Sequence, residues 1–99
     1  MLTYSTRARI SGLPGEALAW AQEAAKLVAK IGGRPVQLAG RVGGHSDIVW
    51  TTSLDDYSQL GSWLDSIQAN ADYAAMVKIA VEKGLFAPGS VEAAIWRSL

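Results

Sequence analysis

His45 is the first residue to consider for chemistry: it is the chain's one histidine, and imidazole is the side chain whose unperturbed pKa lets it exchange a proton near neutrality. Ser46 and Asp47 follow it, supplying the residue types of a nucleophile and an orienting acid. Their adjacency argues against that use. The members of a working triad converge from separated parts of a fold, whereas consecutive side chains in a turn point apart. His45 lies in Gly43-Gly44-His45-Ser46, a turn signal between two β-prone runs, and reads as a solvated or locally bonded turn residue. A second set is aromatic. Trp50, Tyr57, Trp63, Tyr73 and Phe86 are suited to line an apolar pocket between helices and a sheet, with Asn70 among the polar groups within reach. Aromatics at helical spacing are more often core packing and interface, which is the favoured reading of this set. Asn70, Tyr57, Tyr73 and Arg41 are the groups available to orient a substrate, but no motif fixes them as a set, so no catalytic residue is assigned.

Other chemistries are excluded more firmly. The chain has no cysteine, so there is no disulfide, no thiolate metal site and no cysteine nucleophile. One histidine, with Asp55-Asp56 already accounted for by a helix start, gives no metal set. Gly12-Leu13-Pro14-Gly15 and Gly40-Arg41-Val42-Gly43-Gly44 are not followed by the Gly-Lys-Ser or Gly-Lys-Thr that would open a phosphate-binding helix. No cofactor is expected. Nine basic residues balance nine acidic ones, which leaves no overall field to attract nucleic acid or an anionic membrane, and neither is expected as a partner. The N-terminal Met1-Leu2-Thr3-Tyr4-Ser5-Thr6-Arg7 lacks the apolar region of a secretory signal, and no run of about 18 apolar residues occurs. The protein is read as soluble and cytoplasmic.

The elements that must position these residues follow from periodicity. The 99 residues make one domain, residues 1–99. From Thr3 to Ser11, Tyr4, Thr6 and Ile10 share one parity and Arg7 and Arg9 the other, which predicts a strand. Pro14 and Glu16 then suit a helix start, and Ala17, Trp20, Ala21, Ala24, Leu27, Val28 and Ile31 recur on one helical face. Gly32-Gly33 and Pro35 stop it. Val36–Val42 and Asp47–Thr52 predict a hairpin of two strands. Ser53 with Asp56 three residues later resembles a capping pattern and predicts a helix from there. Asn70 and Asp72 look like a fresh cap, dividing the helical stretch in two or bending it. Gly84 ends it, Pro88-Gly89 turns, and Ser90–Ser98 predicts the last strand.

The order predicts an α+β, ferredoxin-like β-α-β-β-α-β domain, a four-stranded antiparallel sheet with its helices on one face. The sheet is apolar on both parities: Ile48-Val49-Trp50 alternates nowhere, and Val91, Ala93 and Ile95 are interleaved with Ala94 and Trp96. The helices suffice for one face, so the other is expected to pack against a second copy of the chain about a two-fold axis. Trp96 is placed at that seam, with Arg7, Arg9 and Glu92, and the charges are expected to pair because burying them singly is costly.

Ile48-Val49-Trp50-Thr51-Thr52 through the helices to Gly84-Leu85-Phe86-Ala87-Pro88-Gly89-Ser90-Val91-Glu92 is similar to NIPSNAP-like sequences, over about half of the chain. With the element order, the protein resembles the dimeric α/β-barrel superfamily, which also holds the antibiotic-biosynthesis-monooxygenase-like proteins. The resemblance implies a dimeric α/β barrel, and it implies a list of chemistries, cofactor-independent oxygenases and isomerases among them, with no choice between them. Haem-binding members use a histidine from the helical layer, which a turn histidine does not match. The expectation is a homodimeric small-molecule binding or interaction module without catalysis, whose pockets between helices and sheet would take a small apolar or aromatic ligand. The alternative is a cofactor-independent monooxygenase or isomerase acting on a cyclic, aromatic or quinol-like substrate.

Overall fold

Alternation along the first strand decides which way the sheet faces. Leu2, Tyr4, Thr6 and Ala8 turn to the helices, and Ser5, Arg7 and Arg9 turn away from them. The structure, a computed structural model, describes residues 1–44 and 46–99; His45, and with it the reading of the turn histidine, lies outside the described residues. The elements are β1 (Leu2–Arg9), α1 (Pro14–Gly32), β2 (Gln37–Gly40), β3 (Asp47–Leu54), α2 (Tyr57–Gln68), α3 (Ala71–Lys83) and β4 (Glu92–Arg97). The strands form one antiparallel sheet in the order β2-β3-β1-β4. This is the expected ferredoxin-like α+β arrangement, with the helical stretch divided into two.

Two helix starts show how the sequence sets the boundaries. Ser53 does not cap α2. It stays in β3, opposite Thr3 of β1, and the cap is Asp56, whose carboxylate accepts a hydrogen bond from the Gln59 backbone N–H at 2.8 Å. Strand pairing held two more residues than the capping pattern suggested. Asn70 caps α3 as expected, its side-chain oxygen accepting from the Tyr73 N–H at 3.0 Å. Asn70→Ala is expected to cost about 1 kcal/mol. For a domain of this size that lowers the melting temperature by roughly 4–8 °C, which a thermal unfolding scan would read.

The core is divided. Leu2, Leu54, Leu60, Trp63 and Ile67 form one buried cluster, and Ala17, Ala80 and Leu85 form another. The buried positions of α1 are all alanines, Ala17, Ala21, Ala24 and Ala25. Ala24 of α1 borders the same cavity as Thr6 and Ala8 of β1. Small side chains on both layers cannot close the gap between them, and a cleft remains.

The helices do not cover the whole sheet. Val91 and Ile95, on the helix-facing parity, are 62% and 48% exposed, because the helical layer sits over β1 and β3 and stops short of β4. On the opposite face Trp96 is 62% exposed, and its indole N–H donates to Ser5 Oγ at 2.9 Å, across the strand pair.

Candidate functional site: an aromatic cleft between helices and sheet

The cleft has a volume of about 440 Å³ and lies between the two halves of the core. Its floor is Tyr4 and Thr6 of β1 with Trp50 and Thr52 of β3. Register explains the grouping: Tyr4 is paired with Thr52 and Thr6 with Trp50, so all four point to one face. Trp20, Ala24 and Val28 of α1 make one wall, and Tyr73, Val77 and Val81 of α3 the other. Phe86 closes the end after α3.

The aromatic rings are held, not loose. Trp20 donates its indole N–H to the Met76 carbonyl at 2.9 Å, and Trp50 donates to the Ala21 carbonyl at 3.0 Å. Trp20, Trp50 and Phe86 then meet edge to face, with ring centres 5.4–6.1 Å apart, the arrangement favoured by aromatic quadrupoles. At the other end Tyr4 meets Trp63 edge to face at 5.5 Å. The result is two rigid aromatic ends joined by a floor carrying hydroxyl groups.

Among the described residues, no charged side chain lines the cleft. Its polar side chains are the phenols of Tyr4 and Tyr73, the hydroxyls of Thr6 and Thr52, and Gln68 near the rim. Burial pushes the Tyr73 phenol above its usual range, and the neighbouring Tyr4 adds to the shift. Tyr73 therefore stays protonated at neutral pH and can donate a hydrogen bond into the cleft. The linkage has a definite sign. Folding favours the neutral phenol, so its contribution is complete below the unfolded value of about 10 and is lost as pH rises through the folded one. Tyr73→Phe is accordingly expected to flatten the fall in urea stability above about pH 10 relative to the parent protein.

Of the six residues expected to line the pocket, four come together here: Trp50, Trp63, Tyr73 and Phe86. Tyr57 does not. It is the first residue of α2, where the helix projects beyond its packed face, and is 60% exposed. Asn70 does not line the cleft either, since its side chain caps α3. Trp63 is more than a free cleft residue, being 8% exposed and part of the core as well as a wall. Tyr4 and Trp20 were missed as site residues. The available signal was parity: Tyr4 shares the helix-facing side of β1 with Thr6, and Trp20 shares the face of α1 that carries Ala24.

The charged residues lie elsewhere. Arg7 pairs with Glu92, its cross-strand partner on the helix-free face. Arg9 and Arg41 both approach the buried carboxylate of Asp47, at 3.7 and 3.4 Å. Arg41 is thus committed away from the cleft. Among the described residues no group of acids and histidines is placed to hold a metal ion, and no helix is long and apolar enough to cross a membrane.

No protein-family model and no curated protein matches the sequence. Solved structures do. An uncharacterised NIPSNAP domain protein from Burkholderia xenovorans superposes with a TM-score of 0.79 at 16% identity, covering 100% of this chain and 95% of that one. A NIPSNAP family protein from Agrobacterium tumefaciens gives 0.79 and 16%, covering 99% and 92%. SnoaB, a cofactor-independent oxygenase from Streptomyces nogalater, gives 0.72 and 15%, covering 99% and 92%. Identities this low speak to the fold alone, and the chain has the ferredoxin-like α+β fold that the NIPSNAP proteins share with SnoaB.

Proposed function

We propose that the protein is a homodimeric binding module for a small, flat, apolar or aromatic molecule held in the cleft of each subunit. The supporting observation is the cleft itself: about 440 Å³, walled by fixed aromatic rings, with hydroxyl groups at its floor. That is within the size range of small-molecule sites, and its few convergent polar groups are the kind that fix a ligand's orientation. Binding is favoured over catalysis because proton abstraction needs a base that titrates near neutrality. Among the described lining residues there is none, and Tyr73 is shifted the wrong way for that task.

The second reading is a cofactor-independent oxygenase or isomerase, favoured by the likeness to SnoaB and by a protonated phenol able to donate to a developing oxyanion. Calorimetric titration with 2-naphthol separates the readings when combined with an oxygen electrode. The binding module predicts saturable binding, one molecule per chain, with no dioxygen uptake. Uptake above the buffer rate would establish the oxygenase, and no saturation at all would contradict both.

Dimerisation through the helix-free sheet face belongs to the same proposal. It is supported by the exposed Trp96 beside Ala94, with Val49 on the same face of the sheet, and by the cross-strand pairing of Arg7 with Glu92, which neutralises charge that a second sheet would bury. The absence of cysteine fits a cytoplasmic setting, in which the module would work.

A further inference from the structure

Three of the four indole N–H groups are paired, Trp20 with Met76, Trp50 with Ala21 and Trp96 with Ser5, and that of Trp63 is sealed in the interior without a partner. The hydroxyls of the cleft are placed differently. Thr52 is 3% exposed and lines the cavity with Tyr4, Thr6 and Tyr73. Among the described residues none of these four hydroxyls is taken up by a hydrogen bond within the chain, and none is sealed from the cavity as the Trp63 N–H is. Water satisfies such groups until a ligand arrives, and a ligand that displaces it must replace its hydrogen bonds. The hydroxyls therefore say what polar group the ligand carries.

Tyr4 stands close enough to Tyr73 to oppose its ionisation, so two neutral phenols face the same part of the cavity, each with a proton to donate. A carbonyl oxygen has two lone pairs and no proton of its own, and accepts from both at once. A ligand hydroxyl accepts as well but must find a place for its own proton. A carboxylate would be buried with no cation in the lining to offset its charge, and an ammonium would meet no acid there. Register sets the spacing. Tyr4 pairs with Thr52, and the next row on the same face, Thr6 with Trp50, lies about 7 Å along the strands. Trp50 belongs to the ring cluster with Trp20 and Phe86, so an aromatic ring lodged there reaches the phenols with a substituent attached directly to it. We propose that the cleft selects an uncharged aryl ketone, its ring against Trp20, Trp50 and Phe86 and its carbonyl oxygen accepting from Tyr4 and Tyr73, over the corresponding alcohol or acid. This selectivity rests on the cleft being the binding site.

The test is calorimetric titration of the full chain with 2-acetonaphthone, 2-naphthol and 2-naphthoate, which share one ring system and differ in the polar group. The ketone is expected to bind roughly fivefold more tightly than the alcohol, the effect of one further neutral hydrogen bond, and roughly a hundredfold or more tightly than the carboxylate, whose charge goes unpaired. The infrared carbonyl stretch of bound 2-acetonaphthone is expected to fall below its frequency in an apolar solvent. In Tyr73→Phe it should recover, and the preference over the alcohol should go with it. Tyr4→Phe serves if Tyr73→Phe does not fold. If 2-naphthol binds while the ketone binds no more tightly, if the carboxylate matches the ketone, or if the stretch is the same in the parent and the phenol variants, the carbonyl assignment is overturned and the cleft stands as a binding site. If none of the three molecules binds, the cleft is not the site and the selectivity fails with it.

Discussion

Trp96→Asp is expected to turn a dimer at micromolar concentration into a monomer, as read by sedimentation velocity. The magnitude follows from symmetry. A buried aromatic anchor at an interface contributes about 2 kcal/mol or more when truncated, and a two-fold interface carries every substitution twice. Losing about 4 kcal/mol weakens dimerisation roughly a thousandfold, and the added carboxylate, which the proposed dimer would bury against a second sheet, increases the loss. Trp96 is a suitable position because it is 62% exposed in the single chain. Its removal deprives the folded monomer of little beyond the hydrogen bond to Ser5. If Trp96→Asp sediments as the parent does, the helix-free face is not the dimer seam.

Filling the cleft is expected to have the second large effect. Ala24 is buried on the α1 wall and Val77 stands at the α3 rim, so Ala24→Phe and Val77→Trp place a ring where the ligand's ring would lie. An aromatic group buries about 150–250 Å², which at about 25 cal/mol per Å² amounts to about 4–6 kcal/mol of gross stabilisation. Losing half of that weakens 2-naphthol binding roughly a hundredfold. Overpacking destabilises the fold by about 1–3 kcal/mol at a buried position, so Ala24→Phe carries a risk to folding. Val77→Trp, nearer solvent, carries less, and the two together keep the expectation testable. Wild-type affinity in both folded variants would place the ligand outside the cleft.

Much of this was readable in the chain, for reasons that also mark where reading stopped. Alternation in β1 separated Tyr4 and Thr6 from Arg7 and Arg9, and register then put Arg7 opposite Glu92. Asn70 was legible as a cap because a short polar side chain just before a helical run can accept from a first-turn N–H, and that bond is what keeps the same amide from the pocket it also suited. The start of α2 was misread because Ser53 could satisfy either a cap or a strand, and only pairing with Thr3 decides between them. Tyr57 followed from helical spacing, which fixes direction around an axis but not whether a sheet lies opposite that turn. The cleft itself is space, and a hydrophobic pattern says which way side chains face, not whether they fill the gap. Its trace in the sequence was size: alanine at every buried position of α1, facing threonine and alanine on β1. The pairing of three indoles and the isolation of the fourth depend on contacts between distant segments, such as Trp20 with Met76, which no local pattern encodes.

The central claim is that the aromatic cleft is where the ligand sits, and it is tested most directly by intermolecular nuclear Overhauser effects between 2-naphthol and the protein. The account predicts contacts from the naphthol ring protons to the side chains of Trp50, Tyr73 and Phe86, saturating with the calorimetric isotherm and absent in Val77→Trp. Saturable binding whose contacts fall instead on Trp96 and Val49 of the helix-free face would contradict it.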